Sequence, residues 1–428
     1  MWAAGGLDEC PAVAHIGAMT DAALDGDVLI SGGGFAGLAL ALALGGAGFA
    51  VTVVEPGPPG GGGKVGFDGR VSSFAPDVRR MLERLGVWGR LSEYQTVREI
   101  VVSGGTPDGR ASPFFLHFGE GDGDAPPFDM VENRFMLEAL HEAAATEPSI
   151  RLVHGARLET VESGPAGVAA RLADGRAIAA RLLVSAEGRD SPLRERFGIK
   201  TTGWSYGQSG IVCTVAHERP HEGIAQEFFL PSGSFAILPI TGNRSSIVWT
   251  ERDALVPAFM ALSEADFAAE LARRFTGYLG AVTPVGGRWA FPLRLQLARR
   301  YVGPRFALVA DAAHVVHPLA GQGLNLGLRD VAALAEAVAD AGRLGLDIGS
   351  AAPLETYERR RRIDAVLMAA VTEGLNRLFS NDSAPLRLVR EAGLGLVNAA
   401  TPVRRFLARA AGGRGPGDAP RLLKGEAL

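Results

Sequence analysis

Apolar and polar positions along this chain follow two rhythms, one of short strands and one of amphipathic helices. Asp27 to Ser31 is strand-like, Leu38 to Leu44 is helical, Gly45, Gly46 and Gly48 end that helix, and Val51 to Val54 is a second strand. A helical pattern spans Ala75 to Leu91, with apolar Val78, Met81, Leu82 and Leu85. Residues 97–130 hold strand-like runs and a loop rich in Gly, Asp and Pro, Gly119 to Pro127. Asn133 to Thr146 predicts an amphipathic helix, and Arg151 to Val153 a third parallel strand. An alternating meander follows: Leu158 to Glu162, Val168 to Leu172 and Arg176 to Ala180, with an Asp174-Gly175 hairpin turn. Leu182 to Ser185 is a further apolar run ending at Glu187-Gly188. Four strand-like runs (208–214, 225–230, 234–239, 245–250) and a helix near 263–275 predict a separate antiparallel sheet. A short strand from Ala307 to Ala310 runs into Asp311, and the rest is helical: 328–343, 353–378, 385–398 and 402–411.

Composition narrows the class. The 428 residues suffice for two or three packed units, and 47% hydrophobic content supports a large core. A net charge of −4 gives no reason to expect nucleic acid. Two cysteines, Cys10 and Cys213, exclude a disulfide scaffold and a cysteine-rich metal site, and they fit a reducing cytoplasm. The first 18 residues carry Asp8 and Glu9 and no basic n-region, so no signal peptide is expected, and Met19 is a candidate start. Gly57 to Gly63 reads as a mobile surface loop.

Two stretches carry the chemistry. In the first, Gly32, Gly34 and Gly37 form G-x-G-x-x-G between a strand and a helix, and Glu55 ends the next strand 18 residues beyond Gly37. That order places a pyrophosphate at the helix N-terminus and an acid at a ribose hydroxyl. Residues 28–54 carry no charge, which also suits a membrane span, but seven glycines and a β-branched end favour a buried βαβ unit. In the second stretch, Asp311 suits a hydroxyl-bearing chain. The Gly321-Gln322-Gly323-Leu324-Asn325 turn opens a helix whose N–H groups and dipole favour an anion. Together they read as the two halves of an FAD site.

The joined motifs resemble the group A flavoprotein monooxygenases, of the p-hydroxybenzoate hydroxylase fold. Within that group they are similar to the polyprenylphenol hydroxylases of ubiquinone biosynthesis. Residues His317 to Asp330 carry the specific likeness and Asn376 to Asn381 add to it; the resemblance runs from about residue 26 to about 412. It implies an α/β fold: an FAD-binding Rossmann-like domain of the glutathione reductase type, an interleaved antiparallel sheet for substrate, and a helical C-terminus. The expected division is a disordered extension over 1–25, an FAD-binding domain over 26–96, 130–204 and 295–384, a substrate domain over 97–129 and 205–294, and a helical segment over 385–428.

By the same resemblance Gly32, Gly34, Phe35, Ala36 and Gly37 hold the ADP half of FAD and Glu55 its ribose. Arg70 and Arg134 approach flavin or pyrophosphate, although exposed arginines are more often solvated. Asp311 binds the ribityl chain, and Pro318, Gly321, Gly323, Leu324 and Asn325 lie beside the flavin. Of these, Pro318, Gly323, Leu324 and Asn325 are the expected catalytic positions, with backbone N–H groups near Gly323 to Asn325 stabilising reduced flavin. Two departures stand out: Glu187 where the family has Asp, which puts the reductant contact in question, and Ala310 where it has Gly, whose methyl is expected to narrow the site.

The implied reaction is hydroxylation of a polyprenylated phenol by NAD(P)H and O2 through a flavin C4a-hydroperoxide, within a quinone-biosynthesis complex. The alternatives are a hydroxylase of small phenols or polyketides, and a non-catalytic FAD-binding subunit. His314 and His317 are three apart, but no ligand shell completes a metal site. Gly277 to Gly280 and Trp289 to Leu293 lie where substrate-side residues are expected, though aromatics there more commonly build core. Glu358 to Arg362 reads as a solvated basic face. The amphipathic stretch 385–411, with Arg387, Arg390, Arg404, Arg405 and Arg409, suits either an anionic membrane surface on the cytoplasmic side or packing on the flavin unit.

Overall fold

The computed structural model describes residues 24–58, 69–105, 111–119, 128–230, 232–275, 277–379 and 419–428. Most of the extension expected over 1–25, most of the expected glycine loop after residue 57 and the helices expected at 385–398 and 402–411 lie outside these residues. Asp25, inside the expected extension, donates its N–H to Ala179 and accepts from the Ala179 N–H at 2.8 Å.

The first strand, β1 (Gly26–Ser31), leads into α1 (Phe35–Gly45) and back along β2 (Val51–Glu55). Ala36 to Gly45 are all buried, so the uncharged helix is enclosed on every side and its apolar surface faces protein. No helix among the described residues is long and apolar enough to cross a membrane. Next come β3 (Val71–Phe74) and α2 (Pro76–Arg84). The sequence pattern ran this helix to Leu91, but Gly86 adopts φ +71° and stops it. The Gly86 and Val87 N–H groups bond the carbonyls of Glu83 and Leu82, a Schellman closure that a left-handed glycine makes cheap.

Strands β4 (Gln95–Val97), β5 (Glu99–Gly105), β6 (Ala111–Gly119) and β7 (Phe128–Glu132) precede α3 (Asn133–Thr146) and β8 (Ile150–His154). The meander is β9 (Leu158–Ser163), β10 (Val168–Leu172) and β11 (Ala177–Ser185). Two separate runs were expected over 176–185. They form one strand, antiparallel to β10 at its start and parallel to β1 from Ala180 onward.

After α4 (Pro192–Arg196) comes β12 (Thr201–His217), then β13 (Ile224–Leu230), β14 (Gly233–Ile240) and β15 (Arg244–Arg252). Helices α5 (Val256–Ala261) and α6 (Glu264–Phe275) lead to β16 (Val282–Ala298), which pairs along β12. The sequence pattern missed β16. Pro284, Pro292 and the Gly286-Gly287 pair break its alternation, and the register shift opposite Cys213/Thr214 absorbs the two glycines. Cys213 is buried, and burial pushes its thiol up to about 12.

Short strands β17 (Val302–Gly303), β18 (Phe306–Leu308) and β19 (His314–Val315) return the chain to the first sheet and its neighbour. Helices α7 (Gln322–Arg343), α8 (Ala351–Phe379) and α9 (Arg421–Lys424) complete the described chain. The main path of the first sheet runs β17-β18-β11-β1-β2-β8, the second runs β19-β16-β12-β15-β14-β13-β5-β6, and β3-β7-β4 form a third.

Helices α7 and α8 are joined by buried charge. Asp330 is fully buried and accepts from Arg361 Nε at 2.8 Å, His314 Nε2 at 2.5 Å and the Ala310 N–H at 3.1 Å. Burial opposes its ionisation, yet His314 and Arg361 hold its carboxyl below the usual range. Arg361 therefore corrects the reading of 358–362 as a solvated face. Glu358 is also engaged, accepting from the Tyr301 N–H at 2.7 Å. Replacing Arg361 by Met leaves Asp330 short of its cation, so the urea midpoint should fall by the equivalent of about 3–5 kcal/mol. An unchanged midpoint would show that His314 alone suffices.

Candidate functional site

Parallel strands β1, β2, β11 and β18 all end at one edge of the first sheet, the crevice where open α/β folds bind ligands. The backbones meet there at distances that only glycine tolerates. A Cβ on Gly32 (φ +107°) would lie 2.4 Å from the Ala186 carbonyl oxygen, and one on Gly37 would lie 1.9 Å from that of Gly32. Gly34 differs, because a Cβ there meets nothing within 4 Å. Its bare side opens outward at the start of α1, where a pyrophosphate would approach.

Glu55 closes the loop from below. Its carboxylate accepts from the Gly33 N–H at 2.6 Å and the Gly57 N–H at 2.8 Å. Each oxygen retains a lone pair for a ribose hydroxyl. Phe35 is half-buried and Ala36 buried in the first turn of α1.

The second stretch arrives at the same edge. The Val309 N–H bonds the Ser185 carbonyl, and Ala186 N–H bonds Ser31, so Asp311, Glu187 and Gly32 converge. Burial pushes the Asp311 carboxyl up, while His314, Arg189 and Arg294 oppose the rise. Helix α7 begins at Gly321, in the left-handed region at φ +60°, with no side-chain cap and no acid in its first turn. No capping side chain and no acid of its own first turn offsets the positive end of the helix dipole there. A Cβ on Gly323 would also meet nothing within 4 Å. Pro318 is exposed and Leu324 half-buried.

Several expected residues make contacts within the protein. The Asn325 side chain is fully buried; its Oδ1 accepts from the Ala75 N–H and its Nδ2 donates to Ser73 O, both at 2.8 Å. It pins α7 to β3 and α2. Arg329 adds a buried pair to Asp77 at 2.8 Å, a contact that sequence spacing did not signal. Arg134 pairs with Glu132 at 2.7 Å and lies over the Phe135 ring. Arg70 is exposed and reaches over Phe291, with its guanidinium carbon 5.9 Å from the ring centroid. Glu187 accepts from Ser31 and Ser191 hydroxyls at 2.7 Å and from the Leu193 N–H at 3.1 Å. The longer side chain locks strand ends to α4.

Ala310 corrects an expectation. Its methyl does not define the site's width; it sits against the bare backbone of Gly327, where a Cβ would come within 2.6 Å of it. Ala310 adopts φ +54°, a left-handed geometry that costs a non-glycine residue energy.

His314 is consumed by Asp330. His317 is buried, packs edge-on against Tyr206, and neither ring nitrogen has a partner among the described residues. Burial pushes His317 down to about 4. No group of three metal-ligating side chains occurs among the described residues. Tyr278 and Leu279 pack into the core under α6, whereas Trp289 and Phe291 stay half-buried on the opposite face of the second sheet.

The bare faces of Gly34 and Gly323 and the uncapped α7 fit FAD, and known proteins agree. A family model described as an FAD binding domain matches residues 25–372. Ubiquinone hydroxylase UbiL of Rhodospirillum rubrum is 48% identical over 407 residues, 94% of this chain and 93% of that protein. The 3-demethoxyubiquinol 3-hydroxylase of Escherichia coli is 33% identical over 89% of this chain and 96% of its own length. Among solved structures, p-nitrophenol 4-monooxygenase PnpA from Pseudomonas putida superposes with a TM-score of 0.76 at 19% identity, covering 92% of this chain and 99% of that one, a likeness of fold.

Two outcomes are expected. Gly34→Val should fold normally by circular dichroism yet bind FAD about 10-fold or more weakly, a clash of about 1–3 kcal/mol confined to the bound state. Gly327→Ala should lose about 1–3 kcal/mol of stability through the collision with Ala310. The double variant with Ala310→Gly should recover part of that loss in a double-mutant cycle.

Proposed function

This chain belongs to the ubiquinone-biosynthesis hydroxylases, FAD-dependent monooxygenases, and on that premise we propose that it hydroxylates the aromatic ring of a polyprenylated phenol with NAD(P)H and O2. The observation that carries the reading is the convergence of the 32–55 and 311–325 stretches on one strand-end crevice, with two glycine faces left bare.

FAD, when bound, supplies the redox chemistry, taking reducing equivalents from NAD(P)H and activating oxygen. The protein's part is to bind, orient and shield. In this reading Gly32, Gly34, Phe35, Ala36 and Gly37 receive the ADP half, Glu55 its ribose and Asp311 the ribityl hydroxyls. The N–H groups of Gly323 and Leu324 at the head of α7 stabilise negative charge on the pyrimidine edge, and Pro318 lines the reacting side. Asn325 acts indirectly, by fixing that helix to β3. Arg70 and Arg134 border the crevice, each with a contact to protein. Glu187 positions the strand ends in place of touching the cofactor.

Two large sheets, with β3-β7-β4 packed against β13 and β14 of the second, support a division into an FAD unit and a substrate unit. The two departures that favour a non-catalytic subunit are both absorbed by local packing, at Glu187 and at Gly327, which favours the catalytic reading. The lipophilic substrate and the arginine-rich pattern of 385–411 support a cytoplasmic enzyme that touches the inner face of the membrane.

Purified protein should carry FAD stoichiometrically, and a prenylated phenol should stimulate NAD(P)H oxidation with matching formation of hydroxylated product. Failure to retain flavin together with no phenol-stimulated oxidation would overturn the reading.

A further inference from the structure

The second sheet has two unlike faces. One carries Ile211, Phe235, Ile247 and Trp249, and Phe267 and Leu271 of α6 cover it. The register of the strands assigns the other. Glu227 pairs with Ala236, Ala236 with Val248, Val248 with Val212 and Val212 with Trp289, so these side chains form one row across β13, β14, β15, β12 and β16. In the next row Phe229 pairs with Ser234, and Thr250 with Gly210 and then Phe291.

This face is covered at one end by the β3-β7-β4 sheet and meets the FAD unit at the other. Ala225, on the same side of β13 as Glu227, packs with Leu238 and Ile240 against Val97, Phe128 and Met130. At the other end the bare side of Gly69 meets the Trp289 ring, and Arg70 lies over Phe291. Between those contacts Glu227, Val248 and Trp289 keep part of their surface exposed. The same β3 that follows Arg70 holds the head of α7 through Ser73 and Asn325. The Trp289 end of this face and the head of α7 therefore both adjoin the Gly69–Phe74 segment.

Glu227 is the one ionisable side chain in those two rows. The Ser234 hydroxyl, on its diagonal neighbour in β14, favours its ionised form, and Ser234 Oγ lies 3.5 Å from Thr250 Oγ1. Its in-register neighbours, Val102 and Ala236, are neutral. The acids on the elements packed around β13 have partners of their own: Glu99 with His117, Asp129 with Arg79, Glu132 with Arg134. Among the described residues no cation is paired with Glu227.

We propose that Glu227 receives the hydroxyl of the phenolic substrate and removes its proton, with Ser234 and Thr250 as the hydroxyls that connect it across the sheet. The inference rests on the ring-hydroxylase reading. The step is a proton transfer: the phenol O–H bond breaks, an O–H bond forms on the carboxylate, and the electron pair stays on the substrate oxygen. The resulting phenolate is the more electron-rich ring for attack by an electrophilic oxygen. Burial pushes the Glu227 carboxyl up to about 7, which brings its basicity closer to that of a phenolate than an ordinary carboxylate's.

The test uses holoenzyme and 2-prenylphenol. On the oxidised wild-type protein the ultraviolet phenolate band of the bound probe should titrate at least about one unit above its position in Glu227→Gln, because the ionised carboxylate beside the hydroxyl disfavours a second negative charge. In Glu227→Gln turnover near neutral pH should drop at least about 10-fold and recover as pH rises toward the phenol's own ionisation. Flavin content should be unchanged. Wild-type turnover should rise through about pH 7 as the carboxyl loses its proton. Ser234→Ala removes a hydroxyl that favours the carboxylate, so it should move that limb to higher pH, which keeps the idea testable if Glu227→Gln does not fold. A Glu227→Gln enzyme with the wild-type probe titration and pH profile, or a Ser234→Ala limb that does not move, overturns the assignment. A wild-type enzyme that hydroxylates no prenylated phenol overturns the underlying reading instead.

Discussion

The buried carboxylate of Asp330 is the constraint on which the site depends. It sits in α7, yet it accepts from the backbone of Ala310, the ring of His314 and the guanidinium of Arg361 in α8. A charge with no exposure is tolerable only when its lone pairs are filled, so these groups hold one another in fixed geometry. The Ala310-Asp311 turn, the end of the last parallel strand and the orientation of α7 are thereby set together. Because the head of α7 and Asp311 are the two parts that would meet a flavin, a charge cluster outside the crevice determines its shape.

Backbone proximity is the second organising fact. Gly32 and Gly37 are required by carbonyls of the protein itself, whereas Gly34 and Gly323 have open sides. The first pair lets β1, α1 and β11 approach; the second leaves room for something else. One fingerprint therefore combines a folding requirement with a binding requirement.

Much of this was legible in the sequence because it is local. The strand-turn-helix-strand order around Gly32 and the helix Asn133–Thr146 follow from periodicity and glycine placement. What was hidden depends on distant partners. Arg361 looks like part of a surface run until Asp330 is opposite it, and β16 has prolines and glycines that only its pairing with β12 makes compatible with a strand. Ala310 looks like an intrusion into the site until Gly327 appears beneath it. The Asn325 side-chain amide bonds Ser73 and Ala75, partners some 250 residues away that no local pattern signals. Glu227 gave no signal, since its significance comes from strand register alone.

His317 stands directly before the proline that leads into α7, buried and without a partner for either nitrogen among the described residues. With its proton affinity lowered to about 4, the imidazole stays uncharged from mildly acid to alkaline solution. The electric field at the mouth of that helix then comes from peptide dipoles, which do not titrate. Across the physiological range, acidity would act on substrate and base while leaving the electrostatic bed of the cofactor constant.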